Sequence, residues 1–447
     1  MRAIPVLVAV LLVSAAVAGA VAVPDRDGSG TLAAGGPSTP AATASPVTPG
    51  PTSEIRMAAI NGSAPIRVLS LEGNGSVTSG IDVVTVDAGT ATEFGASASV
   101  ARVETIALRE RITNASGSDE RQIRILDGLN EVDKEVITLH SRHREAIGAY
   151  HAGELSGKEF LVELARIRAS AAVLEERVLM LERLAEATDD FGLDDSRVYP
   201  VVYDLRTFDG PVRSRTAAAL DGDPGSSTRV YVATTESGIV LSTVADGQFV
   251  RETFRGDLRE RDDASIDEET AQNVTARSYP EVWAATGGSV AGQGSGGTFL
   301  FDLVYPNGTL TAFVGGGTER VFMEQQRVDL DAVSAGEATT RTLDLTLTVN
   351  RTFPGGPLRV AVTDPRTGEP VDAVVKIGRE GGESVDVGTT GGDGTLWTVS
   401  PRGAFVVTVV EVGSTEVSTV SVTPTAPVTV EEALGSAGGS NSPDAGG

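Results

Sequence analysis

A chain of 447 residues, 40% of them hydrophobic, can bury sizeable cores, and its length fits about three domains. It has no cysteine, which excludes disulfides, thiolate metal sites, thiol catalysis and a lipid-modified N-terminal cysteine. A formal net charge of −25 argues against nucleic acid, whose binding depends on neutralising phosphates with basic residues.

Lys134, Lys158 and Lys376 are the only lysines among 36 basic residues. A strongly acidic, lysine-poor chain keeps its charge hydrated and resists salting out, the lever halophiles use. A GC-rich genome that favours arginine codons is the alternative reading of the lysine shortage.

In chain order, residues 1–23 carry one charge, Arg2, ahead of an apolar run with small-residue cleavage sites at Ala18-Gly19-Ala20 and Ala20-Val21-Ala22. This is a secretory signal. An uncleaved anchor is the alternative, since about 20 apolar residues just cross a bilayer. Either way the expected location is extracellular or at the cell surface. Residues 24–53, rich in Pro, Ser, Thr and Gly, read as a flexible stalk.

Six of the eight asparagines head N-x-S/T sequons: Asn61, Asn74, Asn114, Asn273, Asn307 and Asn350. Sequons in an exported chain are candidate glycosylation sites on surface loops.

Residues 54–195 combine strands with helices. Ile66–Leu69 and Ile81–Val86 are short apolar runs between Gly-rich turns, and Ala98, Ala101, Thr105, Leu108 and Ile112 return at helical spacing after Phe94. From Ser118 to Asp190 two heptad series follow. The first is Ile125, Leu129, Val132, Val136, Leu139, His143, Ala146 and Tyr150. The second is Phe160, Leu164, Ile167, Ala171, Leu174, Val178, Leu181, Ala185 and Thr188. Steps of four and three keep one seam of each helix facing a partner. Gly153 suits a left-handed helix end, and Ser156 with Glu159 forms a capping box for the next helix. So short a connection makes the pair an antiparallel coiled-coil hairpin over 118–190, each helix roughly 50 Å long. Off the seam, Ile123, Leu126, Ile137, Ile147, Leu161, Val173, Leu179 and Leu184 need cover, from the Phe94–Ile112 helix or from a partner.

The stretch Arg144-Glu145-Ala146-Ile147-Gly148-Ala149-Tyr150-His151-Ala152-Gly153-Glu154-Leu155-Ser156, with Glu159-Phe160-Leu161 after it, resembles secreted haloarchaeal proteins of uncharacterised function. The resemblance covers residues 1–330. It implies export, a halophilic source and a helical-hairpin N-terminal domain, and supplies no catalytic residue.

Residues 196–335 read as an α+β domain. Val198–Leu205, Arg229–Thr234 and Ile239–Val244 are β-branched runs, Ser265–Glu269 opens a helix, and Pro306-Asn307-Gly308 carries the Asn-Gly signal of a type I′ hairpin. The pattern weakly resembles the PepSY modules of exported proteins. Residues 336–430 read as a sandwich: Asp364-Pro365-Arg366-Thr367-Gly368, Pro370–Ile377, Asp393-Gly394 and Pro401–Val412 resemble carboxypeptidase-regulatory-like and fibronectin-type β-sandwich modules. Residues 431–447 are a Gly/Ser-rich tail. The fold class expected is therefore multidomain α+β: hairpin, α+β middle domain, Ig/fibronectin-like sandwich.

Chemistry is sparse. His140 and His143 stand three apart, but His143 falls on the heptad seam and no acidic ligand stands at helical spacing. Serine-hydrolase signatures are missing. Gly292–Gly297 matches G-x-G-x-x-G but precedes a strand and opens no helix, so it reads as a glycine loop. The acidic run Asp257–Glu269 reads as a solvated face. No catalytic, cofactor or metal residue is assigned. The expected role is a non-enzymatic, envelope-associated structural or interaction protein, with regulation of exported enzymes through a PepSY-like domain as the alternative. The expected partner is a protein or an envelope component, and not nucleic acid.

Overall fold

The computed structural model describes residues 66–71, 76–85, 88–259, 266–287, 290–295, 297–342 and 344–431. The expected signal segment (1–23) and stalk (24–53), residues 432–447 and the sequons at Asn61 and Asn74 lie outside the described residues.

Two strands open the described chain, β1 (Arg67–Val68) and β2 (Thr78–Val84). Five helices follow: α1 (Ala88–Thr113), α2 (Ser118–His151), α3 (Gly157–Glu186), α4 (Asp195–Arg206) and α5 (Pro211–Leu220). Arg142 meets Glu163, Glu135 meets Arg177 and Gly128 meets Leu181, so α2 and α3 run antiparallel. All eight heptad positions of α2 and all nine of the second series are buried. Gly153 takes φ +78°, and Ser156 and Glu159 cap α3 reciprocally. The helix pair is no free-standing arm. Leu108 and Ile112 of α1 close one side of its core, and Val198, Val202 and Leu205 of α4 close another.

That α4 is helical corrects the strand expected over Val198–Leu205. Its β-branched residues suggested a strand, but Val198, Val202 and Leu205 step by four and three, and tertiary burial of that stripe decides the conformation. Asp194 caps the helix by accepting from the Ser196 amide.

An eight-stranded antiparallel sheet lies against this helical layer, in the order β2-β3-β4-β5-β9-β8-β7-β6. Its later strands are β3 (Thr228–Thr234), β4 (Gly238–Ala245), β5 (Gln248–Arg255), β6 (Val290–Ser295), β7 (Thr298–Tyr305), β8 (Gly308–Gly315) and β9 (Arg320–Asp329), with α6 (Glu268–Ser278) and α7 (Pro280–Ala285) between β5 and β6. Strand β2, from before the helices, pairs with β3 along its whole length, so the two parts of the chain share one sheet.

One sheet face takes the tip of the hairpin. Ala146, Ile147, Tyr150, Phe160, Leu161 and Leu164 pack on Val230, Val232, Leu241, Phe254 and Met323. Each fully buried residue of this kind contributes roughly 1.5–3 kcal/mol. Of the off-seam residues, Ile147 and Leu161 are thereby buried and Val173 is buried elsewhere along α3, whereas Ile123, Leu126 and Ile137 remain exposed.

Two turns show how local chemistry sets the hairpins. Asp246 and Gly247 have φ +53° and +75°, the type I′ geometry that joins β4 to β5. The β7–β8 turn is not type I′: Pro306 fixes a negative φ at its first central position and Asn307 is not left-handed, so only Gly308 has a positive φ there. The glycine loop expected at Gly292–Gly297 is largely edge strand β6. A Cβ on Gly292 would stand 2.6 Å from the Phe301 ring, and one on Gly294 2.3 Å from Phe299. These glycines make room for aromatic rings of the neighbouring strand, and every residue of β6 keeps its register with β7.

The opposite sheet face is covered twice. Over β6–β9, Ala271, Val274 and Tyr279 of the α6–α7 region pack on Phe299, Phe301, Leu310 and Ala312. Over β3–β5 sits the C-terminal module. It comprises β10 (Gly336–Arg341), β11 (Thr346–Arg351), β12 (Pro357–Thr363), β13 (Ala373–Gly378), β14 (Ser384–Thr389), β15 (Thr395–Val399), β16 (Phe405–Glu411) and β17 (Val417–Val422). They form two four-stranded antiparallel sheets, β10-β11-β12-β15 and β14-β13-β16-β17, around a core that includes Leu347, Val360, Val375 and Val407. Strand β18 (Val428–Thr429) returns to pair parallel with β1. Burial on both faces explains why β3 and β4 carry nearly continuous apolar runs, whereas β5, buried as fully, places Arg251 and Glu252 in internal ion pairs.

Candidate functional site

The histidines report on the helix–sheet interface. His140 and His143, both on α2, are buried. His140 Nε2 lies 2.8 Å from Asp204 Oδ2 on α4, and Arg259 pairs with the same carboxylate. The acidic partner missing from helical spacing thus stands on another helix. Among the described residues no group of three metal-ligating side chains forms. His143 lies edge-on to Phe208 and Phe254, with centroids 5.6 and 5.1 Å away. Burial, then Arg213, His140 and Arg259, hold its pKa well below the usual histidine range. His151, at the hairpin tip, stands 3.4 Å from Ser76.

Below them Arg213 of α5 pairs with Glu252 of β5, Nε to Oε1 at 2.8 Å, both side chains almost wholly buried. Glu252 also accepts from the Val212 amide at 3.1 Å, where the helix N-terminus favours negative charge. Gly210 is required here, because a Cβ would lie 1.9 Å from the Glu252 carboxylate. Burial raises the Glu252 pKa, against the pull of Arg213. A second buried pair, Arg251 and Glu324, clamps the residues after β1. Glu324 accepts from the Leu69 amide and the Tyr279 hydroxyl, and Arg251 donates to Leu69 O at 2.8 Å. Both networks sit inside the fold and tie layers together.

A site that opens to solvent lies at the seam between sheet and sandwich. A cleft of about 260 Å³ is floored by Tyr231 and walled by apolar side chains, among them Ile81, Val387 and Phe405. Arg229, Arg379 and Arg402 stand around it, with Glu383. Half-buried Arg229 donates to Asp386 O at 2.9 Å, and burial lowers its pKa. Tyr231, hydrogen-bonded to the side chains of Ser79 and Arg402, has its pKa raised by burial. Close approach of the modules depends on Gly355, at φ +76°, where a Cβ would lie 2.5 Å from the Tyr231 ring.

None of the three arginines forms a salt bridge among the described residues. Two strands at the cleft, β2 and β14, are sheet edges, each with one side of its backbone ladder unpaired. The arrangement suits an extended ligand that offers main-chain hydrogen bonds, an apolar side chain and an anionic group. No local signal could have identified it, since Arg229, Arg379 and Arg402 belong to three separate strand and turn segments.

The sequons fall apart from this cleft. Asn114 is exposed in the turn after α1, and Asn307 is exposed in the β7–β8 turn. Asn273 is exposed on α6, but its Thr275 is buried and donates to Ala271 O. Asn350 is half-buried in β11. Of the acidic run, Asp257 pairs with Arg255, Asp267 caps α6, and residues 260–265 lie outside the described residues.

Comparison with known families divides the chain in three. A model described as a domain of unknown function, DUF7096, matches residues 1–225. One described as a family of unknown function, DUF7094, matches residues 230–334, and an archaeal fibronectin-III type-like domain matches 336–419. No curated protein and no solved structure matches the chain. The C-terminal module is therefore a fibronectin-like β-sandwich.

Proposed function

Because the chain belongs to the DUF7096 family through its first 225 residues, with DUF7094 and an archaeal fibronectin-like module after it, we propose a non-catalytic, exported interaction protein of a halophilic archaeon's envelope. Export rests on the signal-like residues 1–23 and the six sequons. The halophilic source rests on the net charge of −25 and the shortage of lysine. The α2–α3 pair is read as a coiled-coil hairpin docked on the sheet.

The observation that carries the binding role is the seam cleft. Three arginines without carboxylate partners among the described residues surround an apolar floor between two open strand edges, on a chain that is otherwise strongly acidic. The ligand is an extended peptide segment with a carboxylate, a chain terminus or an acidic side chain, added alongside β2 or β14. In high salt such a concave, partly desolvated site keeps an attraction that exposed charges lose.

Fluorescence polarisation in molar salt tests this, using labelled acidic octapeptides with free C-termini and amide-capped, arginine-rich controls. Saturable binding of the acidic set, lost in Arg379→Glu/Arg402→Glu, is expected. Equal binding by the double variant, or no binding by any acidic peptide, overturns the assignment. The location is checked separately: mass spectrometry of envelope fractions should find the protein with glycan on Asn114 or Asn307.

A further inference from the structure

A second, larger cleft lies along the same seam. It encloses about 500 Å³ between the segment after β9, with Leu330, Asp331 and Val333, and the outer face of the sandwich sheet. Volumes of roughly 300–1,000 Å³ are those of small-molecule sites. Its floor is a row of directly paired residues. Asn350 of β11 faces Arg359 of β12, which faces Trp397 of β15. The three project outward because their neighbours Val349, Val360 and Leu396 turn into the sandwich core. Trp397 packs beside Phe249, Leu330 and Phe353 but stays partly open. Among the described residues the planar guanidinium of Arg359 is held only by Thr395 Oγ1, at 3.4 Å. The Asn350 amide and the exposed Asp331 carboxylate have no side-chain partner among the described residues.

We propose that this cleft is a saccharide site. A sugar ring presents an apolar C–H face and a rim of hydroxyls that both donate and accept. An indole suits the first; an amide, a guanidinium and carboxylates, which together donate and accept, suit the second. Asp331, Asp393 and a single arginine, Arg359, line the cleft, so the balance of charge favours a neutral saccharide over an anion.

The sugar has two possible sources. Asn350 itself heads the sequon Asn350-Arg351-Thr352, so a glycan attached there would start on the floor of the cleft. The Thr352 hydroxyl is buried and donates to Pro357 O at 2.8 Å, so attachment would precede folding of the sandwich. The other source is a neutral envelope glycan that enters from solution.

The chain has two tryptophans, so Trp283→Phe leaves Trp397 as the sole indole reporter. Unglycosylated full-length protein with this change is titrated with neutral gluco-, manno- and chito-oligosaccharides in molar salt. Saturable change in Trp397 emission, weakened about tenfold by Arg359→Ala, assigns a free saccharide. In parallel, protein from the native source is analysed by glycopeptide mass spectrometry, and its emission is compared with that of Asn350→Gln. Glycan on Asn350 together with a shifted Trp397 emission assigns the chain's own sugar. A bare Asn350 with no response to any oligosaccharide overturns the proposal. So does a glycan on Asn350 that leaves Trp397 emission identical to that of Asn350→Gln, if the titrations are also silent. The glycan arm rests on export, whereas peptide binding at the arginine cleft is read with Arg379 and Arg402, which do not line this cleft, so either reading can fail alone.

Discussion

His143 should make stability depend on pH in a window set by its own burial. The side chain is 2% exposed, its Nε2 has no hydrogen-bond partner among the described residues, and two phenylalanine rings flank it. Facing charges come from every layer around it: His140 and the Asp204–Arg259 pair on one side, Arg213 and Glu252 on the other. Its pKa is depressed first by burial and then by Arg213, His140 and Arg259, so the folded imidazole stays neutral where a free one, with a pKa of 6.5, takes up a proton. Below that pH the unfolded chain binds more protons than the folded one, so stability falls as pH falls and is fully present above it. While the folded group remains neutral the loss approaches about 1.4 kcal/mol per pH unit, or about 2 kcal/mol between roughly pH 6.5 and pH 5. Urea unfolding of the native chain and of His143→Leu, at constant molar salt, isolates this contribution, because packing changes in the variant shift its curve by a constant. The stability difference should change by that amount across the window in favour of the leucine variant at low pH. Parallel curves would refute the reasoning.

Arg213→Met strands Glu252 in the interior and should cost about 3–5 kcal/mol in chemical unfolding, most of it recovered in Arg213→Met/Glu252→Leu; a double variant no better than the single would contradict the ion-pair account. Gly294→Ala forces a methyl group onto Phe299 and should destabilise by about 1–3 kcal/mol, whereas Gly95→Ala, inside α1 with open space around it, should stabilise by about 0.5–1 kcal/mol; calorimetry that ranks them the other way would undo the steric argument. With a net charge of −25, melting temperature should climb steeply from low to molar salt, where the Debye length falls to about 3 Å; a flat profile would count against salt adaptation.

The parts of the fold that were legible in the sequence are those whose signal is local and periodic. The heptads of α2 and α3 stand alone as a 3.5-residue pattern, and the cap at Ser156 and Glu159 needs only four residues to read. What failed was decided from a distance. Val198, Val202 and Leu205 are helical because α4 closes the helical core, and β-branching pointed the other way. Gly292 and Gly294 make a strand because Phe301 and Phe299 fill the space above them. The third helix, α1, was visible as a period, but not its sparse cover, which leaves Val100, Val103 and Ile106 about 60% exposed. The binding residues were hidden most fully. Arg229, Arg379 and Arg402, like Asn350, Arg359 and Trp397, are ordinary strand or turn residues until the sheet and the sandwich meet.

That meeting is also what gives the molecule a place to bind. The sandwich has its own core, and the sheet depends on it for cover: without it Tyr231, Ala233 and Val240 would face water. The contact is cemented locally, by Ser242 donating to Gly355 O, Arg229 donating to Asp386 O, and packing of Val399 on Tyr231. The two modules diverge on either side of these contacts, and both clefts open there, each with one wall from the sheet domain and one from the sandwich. A ligand in either cleft therefore touches both modules at once. It would bind only the docked arrangement, and by linkage would stabilise it by RT ln(1 + [L]/Kd). The fibronectin-like module is thus half of the binding surface as well as a cover for the sheet, and a chain truncated before residue 336 should lose both clefts together.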